Sequence, residues 1–261
     1  MSDQPVAIVT GGASGIGLGI ASTLIADGYD VFVLDNDSHH VDDYNASHRL
    51  SRARFCDVSN ATAVATEVDG VLHVAGRIDL LVNNAGISGP TAPVEALDPS
   101  EWQKTLDVGL TGAFNVTRSV APIMKAQSSG AIINIASNAG LMGCPNRSAY
   151  VAAKWGLIGL TKTWAMELGP HKVRVNALCP ASVDGARIEA VMARDAEERS
   201  VSVGEIRRSY ERQSSLQSFT RVEDIASMVC YLASDAAVRI SGQAIGLDGH
   251  TETLGNSLGE P

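Results

Sequence analysis

The stretch "VAIVTGGASGIG", residues 6–17, joins a short apolar run directly to a segment in which four of seven residues are glycine. Apolar, β-branched runs of this length are typical of strands buried on both faces of a parallel sheet. Glycine at 11, 15 and 17 lets the chain turn tightly and brings main-chain N–H groups and the start of a helix close to a phosphate. The stretch therefore predicts a strand, a pyrophosphate-binding turn and a helix, although an ordinary glycine-rich turn would have the same composition.

Similar apolar runs recur along the chain and alternate with stretches of helical length. The runs are residues 6–10, 31–35, 53–58, 78–85, 131–137, 173–178 and 243–248, and the helical stretches include 17–28, 101–126 and 148–169. Such alternation predicts repeated βαβ units. We therefore expect an α/β fold, with a doubly wound (Rossmann-like), mostly parallel seven-stranded sheet and helices on both faces.

The chain has 261 residues, 45% of them hydrophobic, and no linker-like segment divides it. We expect residues 1–261 to form a single domain. Residues at about 185–218 interrupt the alternation, because they are charged and have no strand character. This segment predicts one or two short helices that form a flap over a substrate site.

Charge and cysteine content limit the classes of function. A formal net charge of −9 argues against non-specific binding to nucleic acid or to an anionic membrane. The four cysteines contain no CxxC pair and the histidines show no ligand spacing, so neither a metal site nor a disulfide framework is predicted. With no recognisable signal peptide or membrane-spanning run, we expect a cytoplasmic protein that acts on a small molecule.

Asp35 ends the second predicted strand, 18 residues after Gly17. A carboxylate at this place in a dinucleotide site can accept both hydroxyls of the adenosine ribose and would repel a 2′-phosphate. Neither Ala13 nor Asn36 is a basic residue that would offset this repulsion. Asp35 therefore favours NAD over NADP, although an aspartate that merely starts a surface loop would look the same.

The pentapeptide "YVAAK" places Tyr150 and Lys154 four residues apart in a strongly helical segment, and hence on one face of a helix. A neighbouring ammonium favours the phenolate and can bring the tyrosine pKa from about 10 toward the range in which the phenol serves as an acid or base. Ser137 ends a predicted strand 13 residues upstream, so its hydroxyl can emerge at the same sheet edge as the glycine-rich turn. On its own, YxxxK also occurs on ordinary surface helices.

Together these motifs resemble the short-chain dehydrogenase/reductase family in its single-domain branch. The resemblance extends over almost the whole chain and rests on "TGGASGIG" at 10–17, Asp35, "DV" at 57–58, "NNAG" at 83–86, Ser137, "YVAAK" at 150–154, "VRVNALCP" at 173–180 and "GQAIGLDG" at 242–249. It implies an NAD-dependent oxidoreductase that interconverts a secondary alcohol and a ketone by hydride transfer. It also implies a homotetramer or homodimer, assembled through the helices at 101–126 and 148–169.

The resemblance assigns roles to individual residues. It implies that Tyr150 exchanges a proton with the substrate, that Lys154 holds the nicotinamide ribose and lowers the tyrosine pKa, and that Ser137 hydrogen-bonds the reacting oxygen. The implied cofactor contacts are Gly11, Ser14, Gly15, Ile16, Gly17, Asp35, Asp57, Val58, Asn83, Ala85, Gly86, Tyr150, Lys154, Pro180 and Val183. From composition alone, Asn83 and Asn84 are also typical turn residues.

The chain departs from the family pattern at two places. Gly109 stands where the family usually has an asparagine that supports a helix kink and a water in a proton relay. Because glycine keeps a main-chain carbonyl and tolerates an irregular turn, we expect activity with a slower or rerouted proton exit. The alternative is a catalytically impaired dinucleotide-binding sensor or scaffold. At the second place, Asp184 or Gly185 replaces a threonine, so a hydroxyl that would contact the cofactor is missing.

The flap is rich in arginine among several glutamates. Its arginines are Arg187, Arg194, Arg199, Arg207, Arg208 and Arg212. A guanidinium at the mouth of the site would suit an anionic substrate, whereas solvated helix faces with ion pairs four residues apart would explain the same pattern. The substrate therefore stays open between a simple secondary alcohol, a polyol, a sugar-like compound and an anionic hydroxy compound.

Overall fold

The computed structural model describes residues 4–48 and 52–252, except for the side chains of Arg187 and Glu198. Its strands are β1 Val6–Thr10, β2 Asp30–Asp35, β3 Ala53–Phe55, β4 Leu80–Asn83, β5 Gly130–Ile135, β6 Val173–Pro180 and β7 Ala244–Leu247. They form a parallel sheet in the order β3-β2-β1-β4-β5-β6-β7. The predicted doubly wound fold is confirmed, because the chain builds outward from β1 to β3, crosses back to β4 and continues outward to β7.

The helices connect these strands. They are α1 Gly15–Ala26, α2 Ser38–Ser47, α3 Ala61–Ala75, α4 Pro99–Leu106, α5 Gly112–Gln127, α6 Ser148–Leu168, α7 Ala186–Arg199, α8 Val203–Glu211 and α9 Val222–Ala233. The helical stretch predicted at 101–126 is in fact divided, since a π-helical turn, Asp107–Thr111, joins α4 to α5. Gly109 lies at the centre of this turn, where its lack of a side chain tolerates the irregular backbone.

Alternate residues of β1 show how the two helical layers are held. Ala7 and Val9 pack with the buried faces of α1 and α9. Val6 and Ile8 point to the other side of the sheet and pack with α3, α5 and α6. Full burial of a large aliphatic side chain contributes about 1.5–3 kcal/mol to the stability of the fold. Because β1 buries side chains on both of its faces, this packing stabilises the part of the sheet that carries the site.

The flap region contains two helices, as the sequence predicts, and has a small core of its own. Met192 and Ala196 of α7 pack against Ile206 of α8. Ser202 and Glu205 form a capping box at the start of α8. Among the described residues, none of the helices combines the length and the apolarity needed to cross a membrane.

Candidate active site

The glycine-rich turn lies between β1 and α1, at the carboxyl edge of the sheet. A Cβ on Gly17 would collide with the main-chain oxygen of Gly11, so only glycine fits there. Gly15 has φ +51° and faces open space, since a Cβ on it would meet nothing within 4 Å. Ser14 is the N-cap residue of α1, and its side chain makes no capping hydrogen bond to the described residues. The N–H groups in the first turn of α1 are therefore available to a phosphate. Ile16 packs against the core beneath the turn.

Asn84 holds this turn in place. Its Nδ2 donates to the main-chain oxygens of Thr10 at 3.0 Å and Gly11 at 2.9 Å. In return, Oγ1 of Thr10 accepts from the main-chain N–H groups of Asn84 and Ala85, each at 3.0 Å. The loop after β4 is therefore locked to the glycine-rich turn, and Ala85 lies beside it. Asn84 was expected only as part of the "NNAG" motif or as a turn residue, and its bonds to the glycine-rich turn were not predicted.

Asn83 points in the opposite direction, into the interior. Its Nδ2 donates to Oγ1 of Thr117 at 3.0 Å and to Oδ1 of Asn134 at 2.8 Å. The side chain is 3% exposed, and its Oδ1 is buried without a hydrogen-bond partner among the described residues. The predicted adenosine contact of Asn83 would therefore have to come from its main chain, because its side chain supports the packing of α5 on the sheet.

Asp35 lies at the end of β2, next to the glycine-rich turn. Its carboxylate is buried and accepts from the main-chain N–H groups of Ala13 and Asp37, both at 3.1 Å. An ionised carboxylate has roughly four acceptor positions, so acceptor capacity remains for ligand hydroxyls. A second carboxylate is close in sequence: hydrogen bonds from the main-chain N–H groups of His40 and His39 hold the pKa of Asp37 below its usual range.

The predicted adenine contacts follow β3, beside Asp35. The main-chain N–H of Cys56 donates to the main-chain oxygen of Asp35 at 2.8 Å. The carboxylate of Asp57 closes a local turn by accepting from the N–H and the hydroxyl of Ser59. Val58 is buried, and its carbonyl accepts from Asn115 at 3.0 Å.

Lys154 and Tyr150 lie close together near the end of β5, the strand that Ser137 follows. Lys154 is 5% exposed, and its Nζ donates to the main-chain oxygen of Ile135 at 2.8 Å. The same Nζ lies 5.7 Å from the ring centroid of Tyr150. Ser137 is 8% exposed. Its Oγ accepts from the main-chain N–H of Ala139 at 3.2 Å and donates to Oδ1 of Asn138 at 3.2 Å, so a substrate oxygen would replace Asn138 as the acceptor of this hydroxyl.

Two loops border this cluster. Gly86, after β4, is exposed, and a Cβ on it would lie 3.5 Å from Nζ of Lys154. After β6, Pro180 leads into a segment that Thr220 fixes through a bridge to Val183 and a 2.7 Å hydrogen bond to the carbonyl of Leu247. Asp184, which with Gly185 is one of the two residues expected to replace the family's threonine, pairs with Arg207 of the flap at 3.2 Å.

Gly109 lies against the helix that carries the cluster. It is buried, and a Cβ on it would lie 3.4 Å from Cβ of Ala153, an ordinary van der Waals distance. Ala153 immediately precedes Lys154. A side chain at position 109 would therefore reach α6 beside the lysine.

The described flap arginines are either paired or exposed, and Arg207 also stacks on Phe219, with its guanidinium carbon 4.8 Å from the ring centroid. Arg199 pairs with Asp195, and Arg207 pairs with Glu211 as well as Asp184. Arg194, Arg208 and Arg212 are exposed, and the side chain of Arg187 lies outside the described residues. These contacts match the pattern of solvated helix faces.

A narrow cleft separates the flap from the loop after β5. Its volume is about 10 Å³, about enough for one water, so a substrate that entered it would have to displace side chains or move the flap. Neutral polar groups predominate in its lining. The lining residues among those described are Asn138, Ala181, Ser182, Tyr210, Gln213, Ser214, Ser218, Phe219 and Thr251.

Arg147 is a neighbour of Tyr150 that the sequence reasoning missed. It immediately precedes α6 and is half-buried. Its guanidinium carbon lies 5.0 Å from the ring centroid of Tyr150, and its Nη2 donates to the main-chain oxygen of Ser88 at 2.9 Å. Its position three residues before Tyr150 in the sequence was the available signal.

The site fits an extended dinucleotide. Asp35 and Pro180 end β2 and β6, and the glycine-rich turn, Gly86 and Ser137 follow β1, β4 and β5. In the order β2-β1-β4-β5-β6 these strands are neighbours in the sheet. The carboxyl edge of an open α/β sheet is where such ligands bind, and the bare glycine-rich turn leaves room for a phosphate close to the main chain. No group of three or more His, Cys, Asp or Glu side chains suited to a metal occurs within residues 4–48 and 52–252.

Comparison with known proteins supports this arrangement. Residues 5–197 match the family model described as short chain dehydrogenase. A trans-4-hydroxycyclohexanecarboxylate dehydrogenase of Sinomonas cyclohexanicum is 35% identical over 265 residues, covering 98% of this chain and 95% of that protein.

Two solved structures are similar throughout. An NAD+-bound xylitol dehydrogenase has a TM-score of 0.88 at 31% identity, covering 94% of this chain and 98% of its own. An actinorhodin polyketide ketoreductase variant with NADPH has a TM-score of 0.89 at 32% identity, covering 95% and 97%. The neighbours thus include complexes with both forms of the nicotinamide cofactor.

Proposed function

The chain belongs to the short-chain dehydrogenase family, and on this premise we propose that it interconverts a secondary alcohol and a ketone with NAD as cofactor and Tyr150 as acid/base. Family membership makes the protein an oxidoreductase that binds a nicotinamide dinucleotide. The choice of NAD and the roles of individual residues are the proposal. The observation that carries it is the placement of Tyr150 beside Lys154, whose ammonium is bonded to the end of β5, two residues before Ser137.

Asp35 supports NAD rather than NADP. Its buried carboxylate lies at the end of β2 beside the glycine-rich turn, where the adenosine ribose of a dinucleotide binds. A ribose with free hydroxyls satisfies the remaining acceptor positions, whereas a 2′-phosphate would face the carboxylate of Asp35. Neither Ala13 nor Asn36 supplies a compensating cation.

The three side chains of the cluster have separate tasks. Tyr150 transfers the proton to or from the substrate oxygen, and the ammonium of Lys154 stabilises its phenolate. Ser137 donates a hydrogen bond to the reacting oxygen and orients it. Hydride transfer at the substrate carbon is the chemistry that a bound nicotinamide supplies. Pro180 and Val183, on the far side of the cluster, are proposed to contact the carboxamide end of the cofactor.

The remaining cofactor contacts are proposed along the sheet edge. The turn at 11–17 would hold the pyrophosphate, Asp57 and Val58 the adenine, and the loop at 83–86 the adenosine side. The compared enzymes are named for a hydroxycyclohexanecarboxylate, xylitol and a polyketide. Their named substrates therefore include both charged and neutral compounds.

The assembly and the location are also proposed. Phe114 on α5 and Trp155 and Met166 on α6 are 45%, 50% and 81% exposed, and burial of these apolar groups would favour a homodimer or homotetramer built through the two helices. Leu157, Ile158 and Trp164 are used in the core of this chain instead.

All four cysteines are free thiols, which suits a reducing cytoplasm. We also propose that residues 1–261 act as one domain.

The test is an absorbance assay of nicotinamide reduction with NAD and with NADP, over a panel of neutral secondary alcohols, polyols and hydroxy acids. We expect turnover with NAD and a loss of about 10²- to 10⁴-fold in Tyr150→Phe, with NAD affinity retained. Tyr231→Phe, which changes an exposed tyrosine on α9, is the matched control. Cofactor binding without turnover of any member of the panel would favour the sensor instead.

A further inference from the structure

Arg147 brings a second positive charge to the tyrosine of the cluster. Its guanidinium carbon is 5.0 Å from the ring centroid of Tyr150, closer than Nζ of Lys154 at 5.7 Å. The two cations have different surroundings. Lys154 is buried and bonded to the carbonyl of Ile135, whereas Arg147 is half-buried and bonded to the loop that follows β4.

The charge of Arg147 has no carboxylate partner among the described residues. The acceptor that the structure shows for it is a neutral carbonyl, that of Ser88. Its Nε is buried without a hydrogen-bond partner among the described residues. A partly desolvated guanidinium that lacks a counter-ion is costly to the folded protein, and an anion bound beside it would relieve that cost.

Other arginines with reduced exposure are neutralised in the usual ways. Arg52 pairs with Asp30 and Arg54 with Glu67. Arg174 donates to main-chain carbonyls at the end of α9, including those of Leu232 and Ala233, where the helix dipole favours a cation. Arg147 has no such arrangement and lies beside the group proposed to transfer the proton.

We infer that Arg147 binds a carboxylate of the substrate, and that the protein acts on short hydroxy acids and the corresponding keto acids. The inference rests on the proposed function, because it takes Tyr150 as the group that meets the reacting oxygen. A guanidinium that contacts the tyrosine ring can reach a carboxylate only a few bonds from the reacting carbon. The planar fork of arginine suits a carboxylate better than a hydroxyl.

With Arg147 beside Tyr150, none of the described flap arginines is needed to bind the substrate carboxylate. Arg207 is paired with two carboxylates, and no described arginine lines the cleft at Asn138.

The test compares a hydroxy acid with its neutral counterpart of the same shape. The probes are 3-hydroxybutanoate and 3-hydroxybutanamide, measured as kcat/KM with NAD in the wild type, Arg147→Ala, Arg147→Lys and the control Arg212→Ala, which removes an exposed flap charge. We expect the wild type to prefer the carboxylate. Arg147→Ala should lower the ratio of carboxylate to amide kcat/KM by about 10- to 100-fold, Arg147→Lys should retain part of it, and Arg212→Ala should leave it unchanged.

Calorimetric binding of both probes to NAD-saturated Tyr150→Phe protein, with and without Arg147→Ala, provides a second readout in which the probe is bound and oxidation is suppressed. Equal affinity for acid and amide when Arg147 is present, or an equal loss for both in Arg147→Ala, would overturn the inference and assign Arg147 to holding the loop or the tyrosine. Failure of the proposed function looks different. In that case none of the neutral alcohols or acids is oxidised, while the calorimetric preference for the carboxylate still decides the role of Arg147.

Discussion

The ammonium of Lys154 donates a 2.8 Å hydrogen bond to the main-chain carbonyl of Ile135, two residues before Ser137. Lys154 is on α6 and Ile135 ends β5, so this bond fixes the helix to the strand end from which the serine emerges. Tyr150 lies one helical turn before Lys154, on the same side of α6. This hydrogen bond between a helix and a strand thus fixes Tyr150 and Lys154 of α6 beside the strand end that leads to Ser137.

The first prediction concerns cofactor choice. Replacing Asp35 by alanine and Asn36 by arginine removes the buried carboxylate and adds a cation where a 2′-phosphate would lie. The ratio of kcat/KM for NAD to that for NADP should fall by about 100-fold or more, since a charged hydrogen bond is lost for one cofactor and gained for the other. Steady-state assays with both cofactors measure this ratio.

Asp42→Ala is the control for that change, because Asp42 is an exposed acid on the neighbouring helix α2. It alters the net charge by one without touching the end of β2. If the double variant kept the cofactor ratio of the wild type, Asp35 would not be the residue that selects the cofactor.

The second prediction concerns the proton exit at Gly109. A Cβ at this position would lie 3.4 Å from Cβ of Ala153, so asparagine fits without a clash at its first atom. Gly109→Asn should raise turnover and shift its pH profile, because the amide would supply polar groups beside Lys154 for a bound water. Gly159→Asn, at an open position of α6, controls for the general effect of replacing a helix glycine. Identical rates and profiles in Gly109→Asn and the wild type would refute the idea.

The strands were predictable because continuous apolar runs and glycine-rich turns mark buried parallel strands clearly. The structure extends the sixth run by two residues to Pro180 and shortens β3 to Ala53–Phe55. The break between α4 and α5 was signalled by Gly109, but the type of turn was not, since a π-helical turn depends on packing against α6.

Side-chain directions were the part that the sequence did not determine. Asn83 and Asn84 are adjacent and identical, yet one supports α5 and the other holds the glycine-rich turn, because successive residues leave a strand on opposite sides. The contact of Arg147 with Tyr150 likewise depends on where α6 begins. The ion pairs of the flap required the relative placement of α7, α8 and the segment at Asp184.

The third prediction concerns stability at high pH. Burial raises the pKa of the thiols of Cys56 and Cys179 to about 11, whereas a thiol in the unfolded chain ionises near pH ~8.5. Between these values the folded state retains protons that the unfolded state has lost. The free energy of unfolding should therefore fall as the pH rises from about 9 to 11, by at most about 1.4 kcal/mol per pH unit for each thiol.

Urea denaturation at several pH values measures this slope. The double variant Cys56→Ala/Cys179→Ala should show a flatter dependence than the wild type above pH ~9, whatever its stability at pH 7. Val175→Ala, a truncation of another fully buried side chain on β6, should lower the stability without changing the slope. An unchanged slope in the double variant would mean that the two thiols do not titrate as their burial requires.

The fourth prediction separates the support of the cofactor site from general stability. Asn84→Ala removes the donor that the carbonyls of Thr10 and Gly11 share. We expect a loss of about 1–3 kcal/mol in the free energy of unfolding and a weakening of NAD binding by about 10-fold, because the turn that meets the pyrophosphate is no longer held.

Asn176→Ala is the matched comparison for that loss. Asn176 is buried, whereas Asn84 is partly buried. Like Asn84, Asn176 makes two side-chain hydrogen bonds, to the carbonyl of Ile240 at 2.8 Å and from the N–H of Gln243 at 3.1 Å. It lies within β6 rather than at the carboxyl edge of the sheet, so its removal should lower stability to a similar extent and leave the NAD dissociation constant within about 2-fold. Equal weakening of NAD binding in both variants would show that the cofactor responds to overall stability and that the contact of Asn84 with the glycine-rich turn has no special role.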